Sequence, residues 1–319
     1  MKKMTTLDQL KNYSKVVADT GDFRSIKAFQ PIDATTNPSL ILKAAIDEVY
    51  HFVIEDAIAK GGVIDFSDTE QVDQLINRLS VGFGCQILKL VPGRVSTEVP
   101  SKFSFDAKKT IASAKEIIAL YSEAGIDTDR ILIKIAATWE GIQAAAQLEK
   151  EGIKTNLTLV FNISQAIACA ESGITLISPF VGRISDWYKN SGTWNSEVDP
   201  GVQSVTDIYN YFKHFGYSTE IMAASFRNVH QIKALAGCDL ITISPNLLDE
   251  LKSSDVALLP TLTDEKTKTM EIERIPVDES NFRWNLTQDP MVVEKLADGI
   301  RRFHMDYITL VDLLANFKK

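Results

Sequence analysis

The chain is poor in the residues that would staple or metallate a fold. Of its 319 residues three are cysteine, Cys85, Cys169 and Cys238. They are odd in number, far apart and without metal-ligand spacing. That excludes a disulfide framework and fits small buried side chains in a reducing, cytoplasmic setting. The four histidines, His51, His214, His230 and His304, are scattered, so no metal is expected. There is no GxGxxG and no GxxxxGK[ST] loop, hence neither a dinucleotide fingerprint nor a P-loop. No apolar run approaches the ~20 residues of a membrane helix. The opening residues, MKKMTTLDQLKNYSK, lack the continuous apolar core of a secretory leader. Positive charge is in deficit, with 34 Lys and Arg against 42 Asp and Glu and a net charge of −8. Nucleic acid and anionic membranes are therefore not expected partners, and any anionic ligand must be met by locally concentrated cations.

What is present reads as a globular protein, 45% apolar and 24% charged. A chain this long can bury about 75% of its unfolded surface. No linker or repeat divides it, so residues 1–319 are expected to form one domain. The recurring event is a short β-rich apolar run followed by a helical pattern. The runs are VVADT (16–20), DATT (33–36), RVSTEV (94–99), ILIKIAAT (131–138), TNLTLVFN (155–162), ITLISPF (174–180), EIMAASF (220–226) and LITIS (240–244). Asn37-Pro38 and Ser244-Pro245 predict helix starts with a capping side chain before a proline, and Asp22 predicts another cap. Alternating strands and helices allow a doubly wound sheet or a barrel. Eight evenly spaced runs favour an α/β (β/α)8 TIM barrel with additional N- and C-terminal helices. A helical extension begins near residue 250. Residues 251–289 are polar and hard to read. Residues 290–316 predict a long helix with Val293, Leu296, Ile300, Phe303, Tyr307, Leu310 and Leu314 on its packed face. Residues 190–201 predict a loop in the sixth crossover.

Strand parity divides the faces. Ile131, Ile133 and Ile135, and likewise Leu157, Leu159 and Phe161, should meet the outer helices. Leu132, Lys134 and Ala136, with Asn156, Thr158 and Val160, should point into the barrel. Lys134 then lies mid-strand in apolar company. It is either a structural lysine whose ammonium reaches solvent or a carboxylate, or an amine nucleophile. An ordinary lysine is almost wholly protonated at pH 7, and a dry interior disfavours that charge. A neutral amine can attack a carbonyl and form an imine, the electron sink for cleaving a neighbouring C–C bond. Asp19 and Glu98 lie at strand ends; each alone could be a cap or an ion-pair partner, but with Lys134 they offer the base and acid that retro-aldol chemistry demands. Asn37, Asn156, Thr158, Ser178 and Ser225 stand at strand C-terminal ends, where barrel sites lie. Arg183 and Arg227 follow strands six and seven and suggest either an anion site or surface ion pairs.

The stretches VVADTGD, DATTNPSLI, KLVPGRVSTEV, RILIKIAATWEGI, NLTLVF, ISPFVGRISDWYK, MAASFRN and QDPM resemble the transaldolase family, its longer bacterial and eukaryotic type, in order and over nearly the whole chain. The resemblance implies a transferase of the non-oxidative pentose phosphate pathway that needs no metal or organic cofactor. It implies that Lys134 forms a Schiff base with sedoheptulose 7-phosphate or fructose 6-phosphate and passes dihydroxyacetone to glyceraldehyde 3-phosphate or erythrose 4-phosphate. Asp19 matches the family's catalytic aspartate. Glu98 with Thr158 matches the pair that holds a proton-shuttling water. Asn37, Asn156 and Ser178 match the groups that hold the three-carbon unit, Arg183, Ser225 and Arg227 match the phosphate site, Phe180 matches an aromatic at the mouth, and Thr35 is counted among the substrate-binding residues. Small-molecule sugar phosphates are the implied partners, and since many members are homodimers the resemblance admits a homodimer. The shorter fructose-6-phosphate aldolases, the nearest rival, tend to carry glutamine and tyrosine at the Glu98 and Phe180 positions and are about a hundred residues shorter; a sugar-phosphate binder without catalysis is the other alternative.

Overall fold

A computed structural model describes residues 4–194 and 197–317. Eight strands form at the runs the sequence marks: β1 (Lys15–Asp19), β2 (Asp33–Thr35), β3 (Val95–Glu98), β4 (Ile131–Ala136), β5 (Thr155–Val160), β6 (Leu176–Pro179), β7 (Glu220–Ala223) and β8 (Leu240–Ile243). Each pairs in parallel with the next, and β8 pairs with β1 to close the barrel. Parallel neighbours cannot be joined by a tight turn, so every connection carries a helix. The β2–β3 connection carries the most, including Pro38–Ile46, His51–Gly61 and Thr69–Leu88. The connection after β6 holds Val181–Ser191 and Pro200–Phe215, on either side of the expected loop, of which residues 195 and 196 lie outside the described residues.

The caps follow local chemistry. Asp22 accepts from the Arg24 amide and Asn37 from the Leu40 amide, each satisfying a helix N–H that has no partner within its own helix. Ser244 departs from expectation. Pro245 does start a helix, but the Ser244 side chain makes no cap bond and faces the barrel mouth instead.

Parity places the core. Ile131, Ile133 and Ile135 join Val16, Ala18, Ile177, Ile221 and Ile241 against the outer helices. Val17, Leu132, Leu176, Met222 and Leu240 fill the barrel floor. In β5 the expectation fails after Thr158. Val160 packs outside, whereas Leu159 and Phe161 join a cluster at the mouth with Phe180, Leu296 and Phe303. The cause is a left-handed residue, Leu159 at φ +59°, with a register shift between Leu157 and Val160. An irregularity of this kind inverts the side-chain alternation beyond it.

After β8 the chain forms helices Pro245–Ser253, Asp264–Thr267, Glu279–Gln288 and Pro290–Ala315. The last buries Leu296, Phe303, Tyr307, Leu310 and Leu314 as expected. Val293 is 46% exposed, and Val292 is buried in its place. The stripe through Leu296 runs back four residues to Val292, and one residue's rotation of about 100° carries Val293 off it. Among the described residues no helix is long and apolar enough to cross a membrane.

Candidate active site

Register brings the polar residues into rows. Glu98 pairs with Lys134, Lys134 with Asn156, and Ala136 with Thr158. Register partners on adjacent strands project to the same face, so β3, β4 and β5 deliver a carboxylate, an amine and an amide side by side inside the barrel. On the neighbouring strands β1 and β2 Asp19 pairs with Thr35. Lys134 is 4% exposed. Its Nζ forms an ion pair with Glu98 Oε2 at 3.1 Å and donates to the Thr36 carbonyl at 3.1 Å.

A cavity of about 230 Å³ opens above this row. Asp19, Thr35, Asn37, Lys134, Thr158, Ser178, Phe180, Arg183, Ser225 and Arg227, all marked in the sequence, line it. Two marked residues do not. Asn156 is fully buried; it accepts from Ser178 Oγ at 2.6 Å and donates to Ser96 Oγ at 2.9 Å, so it orients Ser178 from behind the wall. Glu98 lines a separate space of about 20 Å³ with Thr36, Ser80 and Tyr307. Thr35 Oγ1, Thr158 Oγ1, Thr242 Oγ1 and Arg183 Nη1 are buried without a hydrogen-bond partner in the protein. Such groups are rare in folded proteins, and their gathering around one cavity marks a place built for polar ligands.

The charges are coupled. Burial raises the Asp19 carboxyl above the ordinary carboxylate range, while Lys134 and then Arg183 oppose the shift. Burial likewise raises Glu98, again opposed by Lys134 and Arg183. Arg183 is lowered from its usual value, first by burial and then by the nearby charges of Arg302 and Arg227. Three arginines thus converge on one rim of an acidic protein. They are not equivalent: Arg227 is bound to Asp186 at 2.7 Å, and Arg302 to Asp298 at 3.0 Å, whereas the Arg183 guanidinium lies over the Phe180 ring. The close approach of the arms carrying Arg183 and Arg227 requires Gly182, since a β-carbon there would lie 2.3 Å from the Ser225 carbonyl oxygen. Ser225 itself is held at φ +63°, a strained conformation that persists where surrounding structure enforces it.

Sequence reasoning missed Ser96, Thr242, Ser244, Arg302 and Phe303. Ser96 and Thr242 lie in strands where their parity could have exposed them. Arg302 and Phe303 come from the C-terminal helix, where an amphipathic pattern looks the same over a site as over a core.

A closed parallel barrel that sets a buried lysine beside two carboxylates, below an arginine that forms no salt bridge among the described residues, defines a Schiff-base barrel enzyme for anionic carbonyl compounds. A family model described as Transaldolase/Fructose-6-phosphate aldolase matches residues 16–314. The chain is 55% identical over 303 residues to a transaldolase of Shewanella sp. (strain ANA-3), covering 94% of this chain and 95% of that one. It is 54% identical over 314 residues to the transaldolase of Rattus norvegicus, 97% of this chain and 93% of the relative. It is 53% identical over 312 residues to that of Bos taurus, with the same coverage of 97% and 93%. The chain belongs to the transaldolase/fructose-6-phosphate aldolase family, and it is an enzyme, a transferase of the transaldolase type.

Proposed function

We propose that this site carries a dihydroxyacetone unit on Lys134 from sedoheptulose 7-phosphate or fructose 6-phosphate to an aldose phosphate, in the cytoplasm. The observation that carries the reading is the placement of Lys134 Nζ, buried at the foot of the cavity and 3.1 Å from Glu98. The neutral amine attacks C2 of the ketose. Glu98, whose Oε2 lies 3.1 Å from Lys134 Nζ, and Thr158 assist loss of water from the carbinolamine. Asp19 takes the C4 hydroxyl proton as C3–C4 breaks and the aldose phosphate leaves. Asn37 and Ser178, the latter set by Asn156, hold the remaining hydroxyls. Thr35 and Phe180 complete the wall, and Arg183, Ser225 and Arg227 take the phosphate. The steps reverse on a second aldose phosphate. Much of the rate comes from positioning both sugars through their phosphate. Product analysis tests the reading. Fructose 6-phosphate with erythrose 4-phosphate should yield sedoheptulose 7-phosphate; free dihydroxyacetone alone would mean an aldolase, and no turnover a binding protein.

Asp19 must be ionised to act as a base, and burial raises its pKa. Activity should therefore be lost, as pH falls, at a pH above the ordinary carboxylate value of about 4. A kcat/KM profile still flat down to that value would rule out a buried carboxylate base.

The arginines predict an asymmetry. Arg183→Ala removes a buried cation whose Nη1 has no partner in the protein. It should lower kcat/KM for phosphorylated sugars by about 10- to 100-fold, the scale of a charged hydrogen bond. Arg227→Ala should cost less, because part of that guanidinium is already committed to Asp186. Unphosphorylated dihydroxyacetone should be nearly unaffected as a Schiff-base partner in both. Equal losses for ligands with and without phosphate would make these arginines structural.

A further inference from the structure

The helix Pro290–Ala315 brings Phe303 to the cavity wall, where it is 2% exposed. Lys134 Nζ lies 5.8 Å from the Phe303 ring centroid and Arg183 Cζ lies 5.5 Å from it. The Phe180 centroid is 5.1 Å from the same Arg183 carbon. One aromatic residue thus touches two of the three cations that line the cavity, and Arg183 is held by two rings while its Nη1 lacks a hydrogen bond. One turn before Phe303 the helix meets the barrel through Gly299. A β-carbon there would lie 2.7 Å from Leu159 Cδ2 and 3.2 Å from Arg183 Nη1. The helix is fixed on either side of this contact. Trp187 donates to Glu294 at 2.7 Å, Ser39 donates to Asp306, and Tyr307 donates to Asp73 at 2.5 Å. Asp73 in turn pairs with Lys102 at 2.7 Å. Phe303 is therefore carried on a stretch of helix held to the barrel on both sides.

We propose that Phe303 is a positioning residue that decides the fate of the carried unit: its ring holds Arg183 at the cavity and keeps water from the nitrogen of Lys134, so that the three-carbon unit waits for an acceptor. The proposal rests on the Schiff-base reading above. Release of the unit without an acceptor consumes one water. C3 of the enamine takes a proton, water adds to C2 of the resulting iminium, and the C2–N bond breaks to return dihydroxyacetone and the lysine amine. The proton taken at C3 is balanced by the one lost from the added water. An aromatic face offers that water no hydrogen-bond partner where it must attack, while its negative quadrupole suits both the iminium and the guanidinium.

Phe303→Ala, Phe303→Leu and Phe303→Tyr should be compared with the parent on fructose 6-phosphate and erythrose 4-phosphate. Free dihydroxyacetone is scored against sedoheptulose 7-phosphate, with KM and kcat measured separately. In the alanine variant the ratio of release to transfer should rise on the order of 10-fold, the scale of a desolvated cation–ring contact, with a higher KM for fructose 6-phosphate. Leucine keeps apolar bulk without a ring and should fall between, and it carries the test if the alanine variant does not fold. Tyrosine should stay near the parent. A ratio and KM unchanged within about twofold in the leucine variant, or a fall in kcat and melting temperature with the ratio unmoved, would overturn the proposal. Borohydride trapping separates the two readings. An adduct on Lys134 in every variant with an unmoved ratio removes only the role of Phe303, whereas no adduct on Lys134 in the parent removes the Schiff-base reading itself.

Discussion

Lys134→Met is expected to lower turnover by at least about 10⁵-fold, as removal of a covalent nucleophile does. It should yield no borohydride-reducible adduct while keeping the parental circular dichroism. Methionine has similar length and suits an interior floored by Leu132, Val17 and Met222. The substitution is not neutral for stability, however. Glu98, with its side chain 4% exposed, loses its ion-pair partner, and Asp19 loses the foremost charge opposing its burial. Both carboxyls then titrate higher than in the parent. A carboxyl whose folded pKa lies above its unfolded value takes up a proton on folding, so stability is lost as pH rises from about 4 through the folded value. Thermal melts at pH 5 and pH 8 should show a larger fall with pH in the variant than in the parent. An equal fall would mean that Lys134 does not govern these carboxyls, and an adduct mapped to another lysine would withdraw Lys134 as nucleophile.

Asp19→Asn is expected to stall the cycle at a different place. Asparagine keeps the shape at the cavity wall but removes the basic oxygen. Imine formation does not require a base at C4, whereas C3–C4 cleavage does. Fructose 6-phosphate should therefore still condense with Lys134, and borohydride should trap an intact six-carbon adduct where the parent without acceptor gives a three-carbon one. Turnover should fall on the order of 100- to 10,000-fold, the usual cost of losing a general base. The alternative is electrostatic. Lys134 opposes the rise that burial causes at the Asp19 carboxyl, so the two charges attract, and Asp19 could serve by holding the amine instead of by taking a proton. Its loss would then impair imine formation, and little adduct of either size would be trapped. A three-carbon adduct at the parental rate would remove Asp19 from the mechanism.

Much of this architecture is legible in the residues themselves. The strands announce themselves as short apolar runs, and alternation alone separates Ile133 on the outer face from Lys134 on the inner one. Alternation is a local rule and fails where the backbone breaks it. Nothing in LTLVFN signals that Leu159 adopts a left-handed conformation; what accompanies it is a close contact with Gly299, 140 positions away. The two arginines look alike in sequence, and what distinguishes them is distant: Asp186 on Arg227, and the ring of Phe303 on Arg183. Phe303 reads as one more apolar residue on a packed helix face because its role depends on what lies beneath the helix. Ser244 fits a capping signature and yet points into the cavity, since Pro245 starts the helix without it. Residues 251–289, opaque as a pattern, fold onto the barrel through scattered contacts, such as Thr261 to the Ala236 carbonyl at 3.1 Å and Tyr209 to Asp264 at 2.8 Å.

The most direct test of Lys134 as the carrier of a three-carbon unit is peptide mapping of the parent enzyme after borohydride treatment with fructose 6-phosphate. A three-carbon adduct should appear on Lys134, and it should diminish as erythrose 4-phosphate is added and sedoheptulose 7-phosphate accumulates in its place. Sedoheptulose 7-phosphate formed at the full rate with Lys134 unmodified, or with the adduct on a different lysine, would contradict the account.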